Sequence, residues 1–197
     1  MIAADKGDVQ IAMLLLRSGA NINAVDENGD AALLYASRTG QIRILHELRE
    51  IGVNVNQLNV RGWSALLLAV DGGHFGAVEW LLDHGALINV DNDVDSALYI
   101  AIDRQSVDMV ALLLERGADV NHENALGGLA LHCALFRNSD VERGLIVELL
   151  LERNVDVNAS QDDGQTPLYI ASYKGWLDMV VLFIENGANV NQADFLR

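Results

Sequence analysis

The clearest alternation of apolar and polar positions lies near the C-terminal end. From Trp176 to Asn186 the chain reads WLDMVVLFIEN, and Leu177, Val180, Val181 and Ile184 fall on one side at helical spacing. A shorter apolar stretch precedes it, from Thr166 to Ser172, and Lys174-Gly175 breaks the two apart. Thr166 can accept a backbone N–H as an N-cap. Pro167 then takes the first helical position, where its missing N–H costs nothing. Asp162, Asp163 and Gly164 ahead of it are turn formers. Gly187 follows as a left-handed stop. The pattern predicts a turn, a short helix, a break, a second helix and a Gly stop.

The same order recurs along the chain, marked by one phrase. It reads GANIN at Gly19–Asn23, GVNVN at Gly52–Asn56, GALIN at Gly85–Asn89, GADVN at Gly117–Asn121, NVDVN at Asn154–Asn158 and GANVN at Gly187–Asn191. Successive copies are 33, 33, 32, 37 and 33 residues apart. Fixed-period self-similarity of this kind predicts a repeat array, in which each unit hides its apolar face only against its neighbours. The units run 1–25 (incomplete), 26–58, 59–90, 91–123, 124–160 and 161–193, with 194–197 starting another. No linker or low-complexity stretch divides them, so one elongated domain over 1–197 is expected.

These units resemble the ankyrin repeat. The family's TPLHxA appears as TPLYIA at Thr166–Ala171. Weaker forms are AALLYA at Ala31–Ala36, SALLLA at Ser64–Ala69, SALYIA at Ser96–Ala101 and LALHCA at Leu129–Ala134. The resemblance covers essentially the whole chain. It implies an all-α fold, an ankyrin-type α-solenoid of stacked helix-turn-helix repeats with projecting turns. It also implies a non-catalytic module that binds another protein on a concave face of turn tips and first helices.

Individual repeats depart from the pattern in ways that carry their own predictions. The second has Ala31 and Ala32 in place of Thr and Pro, and so lacks a good cap. The fourth has Val94 at the turn Gly and Gln105 at the break Gly. Its Asp91–Asp95 run imitates the start of a calcium loop, but Ser96 and Ile102 stand where that loop needs Gly and Glu, so no metal is expected. The fifth carries four extra residues, and Ser139-Asp140-Val141-Glu142 has capping-box spacing. Its second helix is expected to start a turn early, near Asp140, the alternative being an irregular insert. Asn154 replaces the stop Gly, which Asn tolerates. Both ends cut through a repeat and carry apolar residues: Ile2, Met13 and Leu16 at one, Val180, Phe183, Phe195 and Leu196 at the other. This predicts a piece of a longer array or larger protein, or else end faces that associate with other copies.

Charge and chemistry narrow the function further. The formal net charge is −15, spread over both halves. Such a chain repels nucleic acid and anionic membrane and suits a basic or mixed-charge partner, unless the charge serves solubility alone. No apolar run approaches the ~20 residues of a membrane span, and the N-terminus lacks the charge pattern of a signal peptide. Cys133 is the only cysteine, which suits an intracellular, cytoplasmic protein. It follows His132, yet helix neighbours point about 100° apart and pair poorly. The five histidines have no metal-ligand spacing, and no phosphate loop or catalytic constellation is present, so neither a cofactor nor an enzyme is expected.

Carrying the family's variable positions over residue by residue gives the candidate partner-binding set. It comprises Asp30, Arg38, Arg61, Trp63, Asp71, Asp93, Asp95, Asp103, Arg104, Phe136, Arg137, Asp163, Gln165, Tyr173 and Lys174. Trp63, Phe136 and Tyr173 are large aromatics expected to face solvent, with arginines beside them; such residues dominate binding hot spots. The alternative is that each folds onto its own repeat. Tyr35, Tyr99 and Tyr169 are expected to pack inside the first helices. The acidic positions predict a partner with basic residues around an apolar anchor. The rival function is a stand-alone regulatory inhibitor or adaptor of an enzyme or transcription factor.

Overall fold

The structure is a computed structural model that describes residues 1–90, 95–123, 129–137, 140–161 and 164–192. Among them are twelve α-helices and no strand, apart from an isolated bridge between Leu58 and Ser64. The chain forms two compact units, Met1–Ile100 and Ala101–Arg197.

The first unit holds α1 (Ile2–Asp5), α2 (Val9–Arg17), α3 (Ala32–Arg38), α4 (Ile42–Glu50), α5 (Ala65–Asp71) and α6 (Phe75–Asp83). It ends inside α7 (Ala97–Asp103). Each helix pairs with the next to make a repeat, and equivalent helices stack: α1 on α3 on α5, and α2 on α4 on α6. The first helices are short runs of Ala and Leu, strong helix formers buried nearly all round. Their starts follow the capping chemistry. The Ser64 hydroxyl accepts the Leu67 N–H at 3.1 Å, whereas Ala31 offers α3 no side-chain cap. The core runs between the helix layers through Leu33, Leu34, Ile44, Leu45, Leu66, Leu67, Val78 and Leu81.

The second unit holds α8 (Val107–Glu115), α9 (Ala130–Arg137), α10 (Asp140–Leu151), α11 (Pro167–Lys174) and α12 (Leu177–Glu185). Again α8 packs on α10 and α9 on α11. The Thr166 hydroxyl accepts the Tyr169 N–H at 3.1 Å, with Pro167 at the first turn of α11. Helix α10 spans twelve residues, where α2, α4, α6, α8 and α12 span nine. The extra residues of the fifth repeat therefore enter its second helix, which begins at Asp140. Ser139 lies outside the described residues. Arg143 of α10 lies with its guanidinium 3.8 Å from the centre of the Trp176 ring. Arg153 donates to the Leu114 carbonyl at the end of α8, at 2.8 Å, a cation where the helix dipole is negative.

The recurring phrase has a structural reason. Its last Asn bridges to the next repeat at Asn56, Asn121 and Asn158, because a side-chain amide donates and accepts at once. Asn56 donates to the Gly85 carbonyl at 3.0 Å and accepts the Leu87 N–H at 2.9 Å. Asn158 does the same with Gly187 and Asn189, at 3.2 and 2.7 Å. Asn154 and Gln105 hold positive φ, both at 57°, where their counterparts are Gly. Val94 and the Asp91–Asn92–Asp93 stretch lie outside the described residues, as do Phe195 and Leu196. Phe183, expected at an exposed end, is buried, because its column faces the preceding repeat.

Candidate partner-binding surface

In the first unit the surface is built by two successive turns. Asp26 opens one of them. Its Oδ1 accepts the N–H groups of Asn28 and Asp30, at 2.9 and 2.8 Å, and its Oδ2 accepts the Tyr35 hydroxyl at 2.8 Å. The Asp30 N–H and then the Tyr35 hydroxyl hold the Asp26 carboxyl below its ordinary value. The same bond pushes the Tyr35 phenol above its ordinary value. Asn59 opens the equivalent turn of the next repeat: its Oδ1 accepts the N–H groups of Arg61 and Trp63, both at 2.9 Å. The two turns are tied together where Val60 N–H meets the Asn28 carbonyl at 3.0 Å. That approach requires Gly29, since a Cβ there would lie 2.9 Å from Val60 N.

A fixed cation sits beside these turns. Arg38, at the end of α3, reaches Asp30 at 3.1 Å and lies 4.5 Å from the centre of the Tyr35 ring. Asn59 Nδ2 holds the other oxygen of Asp30 at 2.7 Å. The backbone carbonyl of Arg38 accepts His74 Nε2–H at 2.9 Å. An arginine pinned between a carboxylate and a ring loses little freedom on meeting a partner.

In the second unit the surface is aromatic. Phe136 is exposed at the end of α9. Tyr173, near the end of α11, is 78% exposed, and Lys174 beside it is exposed too. Tyr169 stacks on Tyr173 with ring planes 8° apart and centroids at 6.4 Å. In the same unit, His132 donates from Nε2 to the Gln165 carbonyl at 3.0 Å.

A model described as "Ankyrin repeats (3 copies)" matches residues 1–92, 40–124, 88–158 and 120–194. The chain belongs to the ankyrin repeat family. An ankyrin repeat domain from Acinetobacter baumannii is 33% identical, with a TM-score of 0.86 over 95% of this chain and 97% of that one. The human ASB11 ankyrin repeat domain is 26% identical, with a TM-score of 0.80 over 98% of this chain and 85% of that one. The search of curated proteins found no match. Ankyrin repeat domains are generally non-catalytic protein–protein interaction modules. Among the described residues no helix is long and apolar enough to cross a membrane, and no group of three His, Cys, Asp or Glu is placed to hold a metal.

The ankyrin positions expected to contact a partner are not equally available. Arg38, Arg61, Asp103, Arg104, Phe136, Tyr173 and Lys174 are exposed; Asp71, Asp95 and Gln165 are half-buried. Asp30 is only 3% exposed, because Arg38 and Asn59 draw it inward; it positions Arg38 instead of meeting solvent. Trp63 is half-buried, drawn to the base of its turn by the bonds its backbone makes with Asn59. Tyr169, expected in the core, is at the surface, while Tyr99 is buried. Asp93 and Asp163 lie outside the described residues, as does the side chain of Arg137. One cluster was not foreseen. Trp80 Nε1–H donates to His46 at 3.2 Å and its ring stacks on His84 at 4.0 Å, so three rings tie α4 to α6. Aligning the repeats would have shown His46 and Trp80 in adjacent columns, one helix apart.

Proposed function

We propose that this ankyrin repeat chain is a non-catalytic binding module that grips a partner protein with its turn tips and first-helix ends. The observation that carries the reading is the stacked Tyr169–Tyr173 pair with exposed Phe136 in the second unit. Rigid aromatics held out by the fold lose little freedom on binding and bury large apolar area. The partner offers an apolar anchor for these rings, flanked by basic residues that complement Asp103 and the overall negative charge. Its setting is the interior of the cell, where ankyrin repeat proteins commonly work.

A displayed library of random peptides tests this. Selected peptides should carry Lys or Arg on either side of an aromatic or long aliphatic residue. Phe136→Ala with Tyr173→Ala should weaken them about tenfold or more, while Glu115→Ala on a second helix leaves them unchanged. Peptides indifferent to the aromatic pair would refute the assignment.

A further inference from the structure

In the second unit α8, α10 and α12 are the second helices of three successive repeats. A shift of 37 residues carries α8 onto α10, and one of 33 carries α10 onto α12. Leu114 and Leu151 then share a column, as do Leu149 and Leu182, and Arg153 and Asn186. Between α8 and α10 the chain fills the space itself. Arg153, just past the end of α10, reaches back and donates from Nη1 to the Leu114 carbonyl at 2.8 Å. The last carbonyls of a helix are its negative end, so a guanidinium is favoured there.

Between α10 and α12 that arginine is missing. Asn186 takes its column, and its shorter side chain turns onto its own helix, Nδ2 donating to the Leu182 carbonyl at 2.8 Å. A groove of about 290 Å³ remains, lined by Glu148, Leu151, Glu152, Leu182 and Asn186. Its two leucines are half-buried and give it an aliphatic floor. Its rim is anionic: Glu148 and Glu152 are exposed, one helical turn apart, and among the described residues neither meets a cation. Glu148 stands in the column of Ala111, so the open groove carries one carboxylate more than the filled one. The Asn186 amide adds its Oδ1 as an acceptor. The groove lies between two consecutive repeats, so neither wall depends on where the chain begins or ends.

We infer that this groove binds an arginine side chain of a partner protein. The aliphatic stem lies on Leu151 and Leu182. The guanidinium donates to the Leu151 carbonyl, as Arg153 does to that of Leu114, and to the carboxylates of Glu148 and Glu152. Arginine fits better than lysine, because its planar fork reaches a carbonyl and a carboxylate at once, whereas an ammonium is a compact, strongly hydrated point charge. Added salt weakens the contact, since exposed carboxylates are screened. The groove shares no residue with the aromatic surface proposed above, and either contact can fail without the other.

Titrating the isotope-labelled chain with N-acetylarginine amide, followed by amide chemical shifts, tests the proposal. Saturable shifts should appear at Leu151, Glu152, Leu182 and Asn186, with a Kd of about 1–10 mM. The amide of Nα-acetyllysine should bind about threefold more weakly or worse. Glu148→Gln with Glu152→Gln should weaken the arginine compound about tenfold. Asn186→Arg closes the groove from within, as Arg153 closes its own, and should abolish the shifts without lowering the melting temperature. Phe136→Ala with Tyr173→Ala should leave them unchanged, which separates this site from the aromatic one. All five substituted positions are exposed, and circular dichroism confirms that the variants fold. The proposal is overturned if no saturable shift appears at these residues by about 100 mM, or if the shifts spread over the whole acidic surface as a counterion's would. It is equally overturned if the lysine compound binds as tightly, or if Asn186→Arg binds as wild type does.

Discussion

The first and third repeats of the N-terminal unit are built on one plan and end in different states. In the third, α5 is almost wholly buried and Leu81 of α6 has no exposed surface. In the first, α1 is a four-residue stub, and Leu15, in the column of Leu81, is half exposed. Asn56 bridges forward with both ends of its amide, while Asn23 in the same column makes no such bridge among the described residues. The residue types barely differ. For Leu15 what differs is whether a neighbour is stacked behind; Asn23 has the second repeat ahead of it, and its lack of a bridge has no structural explanation. Burial in this chain is therefore a property of position in the array, and stability should be graded along it.

The largest expected break in that contrast is a core truncation. Leu81→Ala should cost about 2–5 kcal/mol in urea unfolding, and Leu15→Ala about 1 kcal/mol or less. Equal losses would mean that the columns are not equivalent. Next comes Asp30, which holds Arg38 and Asn59 at once. Asp30→Ala should cost about 1–3 kcal/mol by stranding two donors, and Arg38→Ala should cost less, since its side chain is 41% exposed. A double-mutant cycle measures the coupling.

The bridging asparagines sharpen the comparison directly. Asn56→Ala should cost about 1 kcal/mol and Asn23→Ala close to nothing, both read from denaturant midpoints. The smallest effects are those of pH. The Asp26 carboxyl is lowered on folding, so its contribution is present above its unfolded value of 3.8 and is lost as pH falls through the folded one. Asp26→Asn should flatten the fall in melting temperature below about pH 4. The Tyr35 phenol is raised, so its contribution is present below 10.0 and is lost as pH rises through the folded value. Tyr35→Phe should flatten the alkaline limb.

Much of the fold was legible because the repeat is local. Thr166 and Pro167 start α11 as capping chemistry requires, Ala31 leaves α3 uncapped, and the insert of the fifth repeat lengthens α10 from Asp140. The surface was less legible, because exposure depends on side chains from the next repeat. Asp30 reads as a solvated tip until Asn59, a repeat away, bonds it. Tyr169 reads as core from its own helix, and is at the surface because no described residue stacks beyond it in its unit. The Trp80 cluster escaped for the same reason: His46 contributes from another helix.

Hydrogen exchange, read helix by helix in dilute solution, is the most direct test of the claim that each repeat is closed by its neighbours. Amides of α4 and α6 should be strongly protected, and those of α2 should exchange far faster although the same columns are apolar in all three. Equal protection of α2 and α6 would contradict that claim.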